Sequence, residues 1–309
     1  MDLAVSIVSY RTPDVLASCL SAVERQRADL DFDVSVVDNA SGDSSPDLVA
    51  ERFPWVHLVR NARNVGFGPA HNQTLRQAAS RARHLLVLNA DAAPAPGSLR
   101  RLVDFLDAHG EVGVVGPRLR YPDGRTQPSR RRFPIPLTLF LESTQAQRFW
   151  PDNRVLRHYY VADRSDDETQ EVDWLVGACL CVRAEAARQI GLFDERFFLY
   201  SEELDWCRRF RAAGWRVVYH PEAEVVHLEG ASTRLDLAAR DRHFQASKLR
   251  YAQTWHGWPT ATALRTYLAL EYAARALEEG VRLAQGSRVE QRRARLRVIA
   301  SGLRSVLRA

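Results

Sequence analysis

Leu85-Leu-Val-Leu-Asn-Ala-Asp91 is an unbroken apolar run that ends on an amide and a carboxylate. Four consecutive bulky apolar residues suit a strand covered on both faces, the usual condition of a parallel sheet between helices. Working outward, the first 120 residues alternate such runs with amphipathic ones, the rhythm of strands feeding crossover helices. The pattern predicts strands over Leu3 to Ser9, Asp33 to Val37, Val56 to Val59 and His84 to Leu88. It predicts helices over Pro13 to Gln26, Ser44 to Arg52 and Gly68 to Ser80, then a helix over Pro96 to His109 and a strand near Val112 to Val115. The expected class is α/β: a doubly wound, mostly parallel sheet flanked by helices. In open sheets of this kind ligands sit beyond the carboxyl ends of strands, which is where Asp38 and Asp91 fall.

After a Tyr-Pro-Asp-Gly turn at Tyr121 to Gly124 the rhythm changes, and residues 125–171 read as long loops or a helical insertion. Regular structure is expected again at Trp174 to Val182 (strand), Ala184 to Ile190 and Glu202 to Ala213 (helices), and Trp215 to Tyr219 and Ala223 to His227 (strands). From Asp236 onward the pattern is helical. Arg288 to Arg308 carries seven arginines against Glu290 alone, with Leu296, Val298, Ile299, Leu303 and Leu307 at helical spacing. The domain expectation is an α/β region over residues 1–235, with halves 1–120 and 172–235, followed by a helical extension over 236–309.

The whole chain has 309 residues, 46% hydrophobic and 26% charged, with a formal net charge of +5, which excludes a wholly disordered, collagenous or membrane-embedded protein. Cys19, Cys179, Cys181 and Cys207 form no C-x-x-C pair, so a reducing cytosol is the expected compartment. Met1-Asp2-Leu3 shows no export signal, and charged residues interrupt every apolar stretch that approaches spanning length. Any membrane contact is expected to be peripheral. Nucleic-acid binding is not expected, because the modest charge excess lies mainly at the C-terminus and no recognition module is present.

Five segments can carry chemistry, each with a plainer reading beside it. Asp38, at the end of Val34-Ser-Val-Val-Asp38, can accept hydrogen bonds from a base or ribose, while the nearby Asp43 or Ser44 can simply cap a helix. The glycines of Asn64-Val-Gly-Phe-Gly68 allow a phosphate to approach a helix N-terminus, or serve an ordinary turn. Asp91 suits a hard divalent cation that already carries a diphosphate, or caps a turn before Pro94. Glu202, Glu203 and Asp205 crowd three carboxylates into one helical turn, which raises at least one pKa toward that of a general base; alternatively they complement the helix dipole, with Asp205 pairing Arg209. His227 closes an apolar strand as a metal ligand or a structural hydrogen-bonding group.

In order and spacing, Val5 to Tyr10, Val36 to Asp43, Asn64 to Phe67 with Asn72, Leu88 to Asp91, Gly177-Ala178, Phe198 to Asp205, and His227 with Ser232 resemble the family-2 glycosyltransferases of GT-A fold, in their rhamnosyltransferase-like bacterial branch. The resemblance covers roughly residues 3–235. It implies that Asp38 contacts the nucleotide, with Ser9, Tyr10, Arg11, Asn64 and Gly66 lining its pocket. It also implies that Asp91, with Asn89 and Ala90 before it, is the last acid of a D-x-D metal motif for Mg²⁺ or Mn²⁺. His227 would complete the metal site, Gly177 and Ala178 would make room for the sugar, and Glu203 would be the base, with Glu202 and Asp205 as other candidates. Asn89 stands where the first acid of D-x-D is usual, and Glu203 where Asp is usual.

The resemblance implies an inverting transfer of rhamnose or a related hexose from a nucleotide-diphosphate donor, dTDP-rhamnose favoured, to a glycan or lipid-linked acceptor. A cytoplasmic enzyme of this kind would rest peripherally on the membrane's inner face, and the arginine-rich C-terminal helix could meet an anionic membrane or dock on the rest of the chain with its arginines in water. Two alternatives remain: a catalytically silent GT-A scaffold, and a nucleotidyltransferase. The second would place a glycine-rich basic loop after the first strand, whereas Ser9-Tyr-Arg-Thr-Pro13 has no glycine.

Overall fold

Leu3, Val5, Ile7 and Leu85 to Leu88 have almost no solvent exposure, so the two strands that carry them lie at the centre of a sheet covered on both faces. The computed structural model describes residues 1–230, 236–286 and 288–308. Ser232 lies outside the described residues. The elements run β1 (Leu3–Ser9), α1 (Pro13–Glu24), β2 (Phe32–Asp38), α2 (Ser45–Arg52), β3 (His57–Arg60), α3 (Phe67–Ala78), β4 (His84–Asn89), β5 (Ala92–Pro94), α4 (Ser98–Ala108) and β6 (Val112–Arg120). They continue with β7 (Arg130–Arg131), α5 (Pro136–Leu141), α6 (Gln145–Phe149), α7 (Arg154–Tyr159), β8 (Gln170–Val172), β9 (Trp174–Leu175), β10 (Cys179–Arg183) and α8 (Ala184–Ile190). The last four are α9 (Glu202–Ala212), β11 (Arg216–His227), α10 (Leu237–Ala284) and α11 (Val289–Arg308).

The main sheet has the order β3-β2-β1-β4-β10-β6-β11-β5, with β8 on β11. Its first four strands are parallel, and β11 is parallel to β6, while β10 runs antiparallel to both β4 and β6, so the sheet is mixed. The chain winds from β1 outward to β3 and then returns to place β4 on the other side of β1. Winding therefore reverses between β1 and β4, the position at which an open sheet leaves a crevice beyond its carboxyl ends. Strand β11 is one strand where two were expected, and the shift of register between His220 and Glu224, around Pro221, is what broke its sequence pattern. Likewise, the stretch expected as one strand from Trp174 is divided by Gly177 and Ala178 into β9 and β10.

The chain forms two compact units. One is the sheet-bearing unit of Met1–Phe133, Tyr160–Phe198 and Glu202–Ser232, and all four cysteines lie in it, free and buried. The other joins Pro134–Tyr159 and Leu199–Ser201 to the C-terminal helices. There the 134–159 stretch is helical, as α5 to α7, and α10 breaks at Gly257 (φ 82) ahead of Pro259. α11 packs on α10 through Ile299, Gly302 and Val306; a Cβ at Gly302 would sit 2.6 Å from the Tyr272 ring, so only glycine permits the approach. Arg292 and Arg295 pair with Glu279, whereas Arg293, Arg297, Arg304 and Arg308 face solvent with Val298 and Leu307. Of the α11 aliphatics, Ile299 and Val306 are thus buried within its own unit, while Val298 and Leu307 are not. Among the described residues no helix is long and apolar enough to cross a membrane.

Candidate active site

At the end of β1, Ser9 lies opposite Asp38 of β2, and Asn39 N–H donates to the Ser9 carbonyl at 2.9 Å. Arg11 turns into the left-handed region (φ 57), its amide donating to Ser41 Oγ and its Nε to the Ser41 carbonyl, with its guanidinium over the Tyr10 ring. Asp38 Oδ2 accepts from Ser41 N–H at 3.4 Å, while Oδ1 is buried without a hydrogen-bond partner. A buried acceptor left open costs about 1–3 kcal/mol, so a base or ribose donor has a ready place there.

The loop into α3 is tied by Asn39, whose amide donates to Asn64 Oδ1 and the Gly66 carbonyl and whose oxygen accepts from Asn61 and Val65. Asn64 Oδ1 also accepts from Gly66 N–H. The space at Gly66 is used by the protein itself: a Cβ there would lie 2.5 Å from the Phe198 carbonyl, which accepts from Phe67 N–H at 2.7 Å. Asn72, another residue of the resemblance, bonds the backbone of Phe193 on both sides of its amide and also Glu195. These residues therefore hold the segment that leads toward α9.

At the end of β4, Asn89 N–H donates to the Ala178 carbonyl at 2.9 Å, which sets Gly177-Ala178 beside the Asn89-Ala90-Asp91 turn. On the other side, β5 pairs with the end of β11 so that His227 faces Ala92, and Leu228 N–H donates to the Asp91 carbonyl. His227 Nε2 lies 3.3 Å from Asp91 Oδ1 and 3.2 Å from Asn89 Nδ2, with both Asp91 and His227 side chains largely buried. His227 Nδ1 is 2.9 Å from Gln127 Oε1. A carbonyl oxygen only accepts, so Nδ1 carries the hydrogen, and Nε2 faces Asp91 Oδ1 and the Asn89 amide. Asn89 Oδ1 is buried without a partner. Carboxylate, imidazole and amide oxygen together fit a hard divalent cation that takes the rest of its shell from phosphate and water. Among the described residues no group of three or more His, Cys, Asp and Glu side chains is placed to hold a metal, so the protein's share would be this small one.

The three acids of α9 have three environments. The Asp205 carboxylate, buried, accepts from Arg209 Nε at 2.8 Å, and that guanidinium also binds the Ile190 and Leu192 carbonyls; its work is to hold the loop after α8. Glu202 is buried against Gly68, and desolvation first and the neighbouring Glu203 second push its pKa well above the usual carboxylate range. Glu203 packs along Gly177, where a Cβ would lie 3.4 Å from its side chain. Desolvation raises its pKa too, opposed by hydrogen bonds from its own amide and those of Gly177 and Leu204 and by Arg131, and its Oε2 is buried without a partner.

Ser9, Asp38, Asn89, Asp91, Gly177, Ala178, Glu203 and His227 thus all lie in the sheet-bearing unit, linked through the ends of neighbouring strands, while Glu202 and Asp205 turn into the protein. Sequence reading did not single out Asn39, which ties the loop, or Gln127, which orients His227. Asn39 sits next to Asp38 in the same motif, but Gln127 lies in a stretch without periodicity and carried no signal.

Residues 4–172 match the family Glycosyl transferase family 2. The N-acetylglucosaminyl-diphospho-decaprenol L-rhamnosyltransferase of Mycobacterium tuberculosis is 35% identical over 268 residues, covering 82% of this chain and 85% of the relative. Among solved structures, the mannosyltransferase PcManGT from Pyrobaculum calidifontis, in complex with GDP-Man and Mn²⁺, superposes with a TM-score of 0.54 at 20% identity over 99% of this chain and 85% of its own. GalNAc-T7 with UDP, GalNAc and Mn²⁺ gives a TM-score of 0.58 at 14% identity over 82% of this chain, which spans about half (48%) of that structure. At such identities the structural likeness concerns the fold, which is of GT-A type. On the family match and the mycobacterial relative, the chain belongs to glycosyl transferase family 2 and is a glycosyltransferase.

Proposed function

We propose that the chain moves rhamnose or a related hexose from a nucleotide-diphosphate donor, dTDP-rhamnose favoured, to a hydroxyl of a lipid-linked glycan, with inversion at the anomeric carbon. The observation that carries the reading is the open Oε2 of Glu203 beside Gly177, in the same unit as the Asp91–His227 pair. The name of the mycobacterial relative supports the choice of sugar and of a lipid-linked acceptor.

In this reading the nucleotide lies over the ends of β1 and β2, where Asp38 Oδ1 accepts from the base or ribose and Ser9, Tyr10, Arg11 and Asn64 form the wall. The small side chains at Gly177 and Ala178 leave room for the sugar next to Asn89. Asp91 and His227 would hold Mg²⁺ or Mn²⁺, which when bound neutralises the departing diphosphate. Glu203 takes the proton from the acceptor hydroxyl; desolvation lifts its basicity toward the operating pH, and its open Oε2 is free to receive that proton. Asp205 is committed to Arg209 and Glu202 is buried against Gly68, which leaves Glu203 as the base. The sheet-bearing unit supplies catalysis, and residues 236–309 form an extension whose outward arginines favour a peripheral position at the inner membrane face.

A panel of nucleotide sugars assayed for metal-dependent hydrolysis and transfer tests the reading. Turnover of dTDP-rhamnose above the other donors, with product of inverted configuration by NMR, is expected. Retention of configuration, or preference for an unrelated donor, would refute it in that part.

A further inference from the structure

Two large aromatic side chains stand side by side in solvent. Phe149 is 84% and Trp150 61% exposed, at the corner between α6 and α7. Exposed hydrophobes scattered singly need no explanation, but an adjacent Phe-Trp pair at a corner does. The corner is also stiff. Trp150 N–H donates to the Ala146 carbonyl at 2.9 Å; Asn153 Nδ2 donates to the Trp150 carbonyl at 2.7 Å; and Asn153 Oδ1 caps α7 by accepting from Leu156 N–H at 2.9 Å. The backbone that carries the pair is therefore tied down, and docking it would order little additional main chain. Around it, Arg148, Arg154, Arg157 and His158 are exposed, and Asp152, paired with Arg157 at 3.4 Å, is the one acid between 148 and 158.

We infer that the α6–α7 corner is a membrane anchor, with Phe149 and Trp150 seated at the boundary of headgroups and acyl chains of an anionic bilayer and Arg148, Arg154 and Arg157 bound to its phosphates. Aromatic rings favour that depth, and arginines beside them favour anionic lipid. Charge decides the occupant: a second copy docked through the same corner would set these arginines against their equals, whereas a phosphate surface complements them. This anchor is distinct from α11, where no exposed aromatic residue stands. Its purpose rests on the proposed lipid-linked acceptor, but its binding can be read without any glycan or donor, so the two ideas fail separately.

The test is flotation of the full chain with vesicles of phosphatidylcholine alone and with one third phosphatidylglycerol. The wild type should float with the anionic vesicles. Phe149→Ala/Trp150→Ala should lower the partition coefficient about 10- to 100-fold. Leu277→Ala, which removes another strongly exposed apolar side chain (71%) elsewhere in the same unit, should bind as the wild type does. As a readout within the folded protein, brominated acyl chains should quench wild-type fluorescence more than that of Trp150→Phe. Absence of wild-type binding to anionic vesicles overturns the anchor. So does a double variant within twofold of wild type, an equal loss in Leu277→Ala, or quenching indifferent to Trp150.

Discussion

Gly66→Ala is a small change with a large expected cost. The residue has φ 98, and a Cβ built on it would stand 2.5 Å from the Phe198 carbonyl oxygen, a separation that real Cβ atoms essentially never show. Backbone in this region is almost exclusive to glycine and costs any other residue about 1–3 kcal/mol. Relief of the clash separates Phe67 N–H from the Phe198 carbonyl, now 2.7 Å apart, and a buried hydrogen bond so broken costs about 1–3 kcal/mol. The total, about 2–6 kcal/mol, is a large share of the 5–15 kcal/mol that holds an ordinary protein folded. Phe198 also stands four residues before Glu202. A shift of about 1 Å transmitted to Glu203 should lower turnover on the order of 10²-fold in the fraction that remains folded. Gly124→Ala is the control, because Gly124 also has positive φ (84) but nothing within 4 Å of its Cβ position; it should lose about 1 kcal/mol and no activity. Urea denaturation followed by circular dichroism, with kcat measured on the folded fraction, separates the two effects. A Gly66→Ala protein as stable and as active as Gly124→Ala would refute the argument that this contact sets the entry to α9.

Glu203→Gln should lower kcat about 10²- to 10⁴-fold with donor affinity by calorimetry nearly unchanged, and unchanged turnover would remove Glu203 from the role of base. The acid limb of the wild-type kcat/KM profile should lie above the ordinary carboxylate value of 4.5, since burial lifts the Glu203 pKa; a limb at or below that value would contradict it. Glu202→Gln should stabilise the protein at alkaline pH. Because the folded pKa of Glu202 is raised above 4.5, the unfolded chain ionises first, so the stability this group contributes is full below 4.5 and lost as pH rises through the folded value. Thermal melts at pH 4 and pH 8 should show the gain of the Gln variant only at the higher pH, and a gain at pH 4 alone would reverse the sign. Asp91→Ala should abolish metal-dependent donor binding, and Gln127→Leu, which removes the acceptor that fixes the His227 ring, should weaken metal affinity about 10- to 100-fold; tight donor binding by Asp91→Ala without metal would contradict both.

What could be read from the sequence was what is local. β1 and β4 are legible because strands buried on both faces are largely apolar, β2 because Phe32, Val34 and Val36 alternate with polar residues, and Asp38 and Asp91 because a carboxylate at the end of such a strand has no packing reason to be there. The antiparallel entry of β10 between β4 and β6 was not legible, since periodicity records which face is buried and not which way a strand runs. β11 read as two strands because Pro221 interrupts its alternation, although the shift of register absorbs the interruption. The break in α10 was hidden in the same way: Gly257-Trp-Pro259 lies within a continuous helical pattern, and a single glycine conformation ends it. At the site, spacing placed Glu202, Glu203 and Asp205 on one helical turn but could not divide their work. That division comes from what each one meets: Arg209 at Asp205, Gly68 at Glu202, and Gly177, a neighbour only because Cys179 pairs with Leu88 across the sheet, at Glu203. Glu202 and Glu203 each keep an open oxygen, and it is Glu203 whose side chain lies beside Gly177.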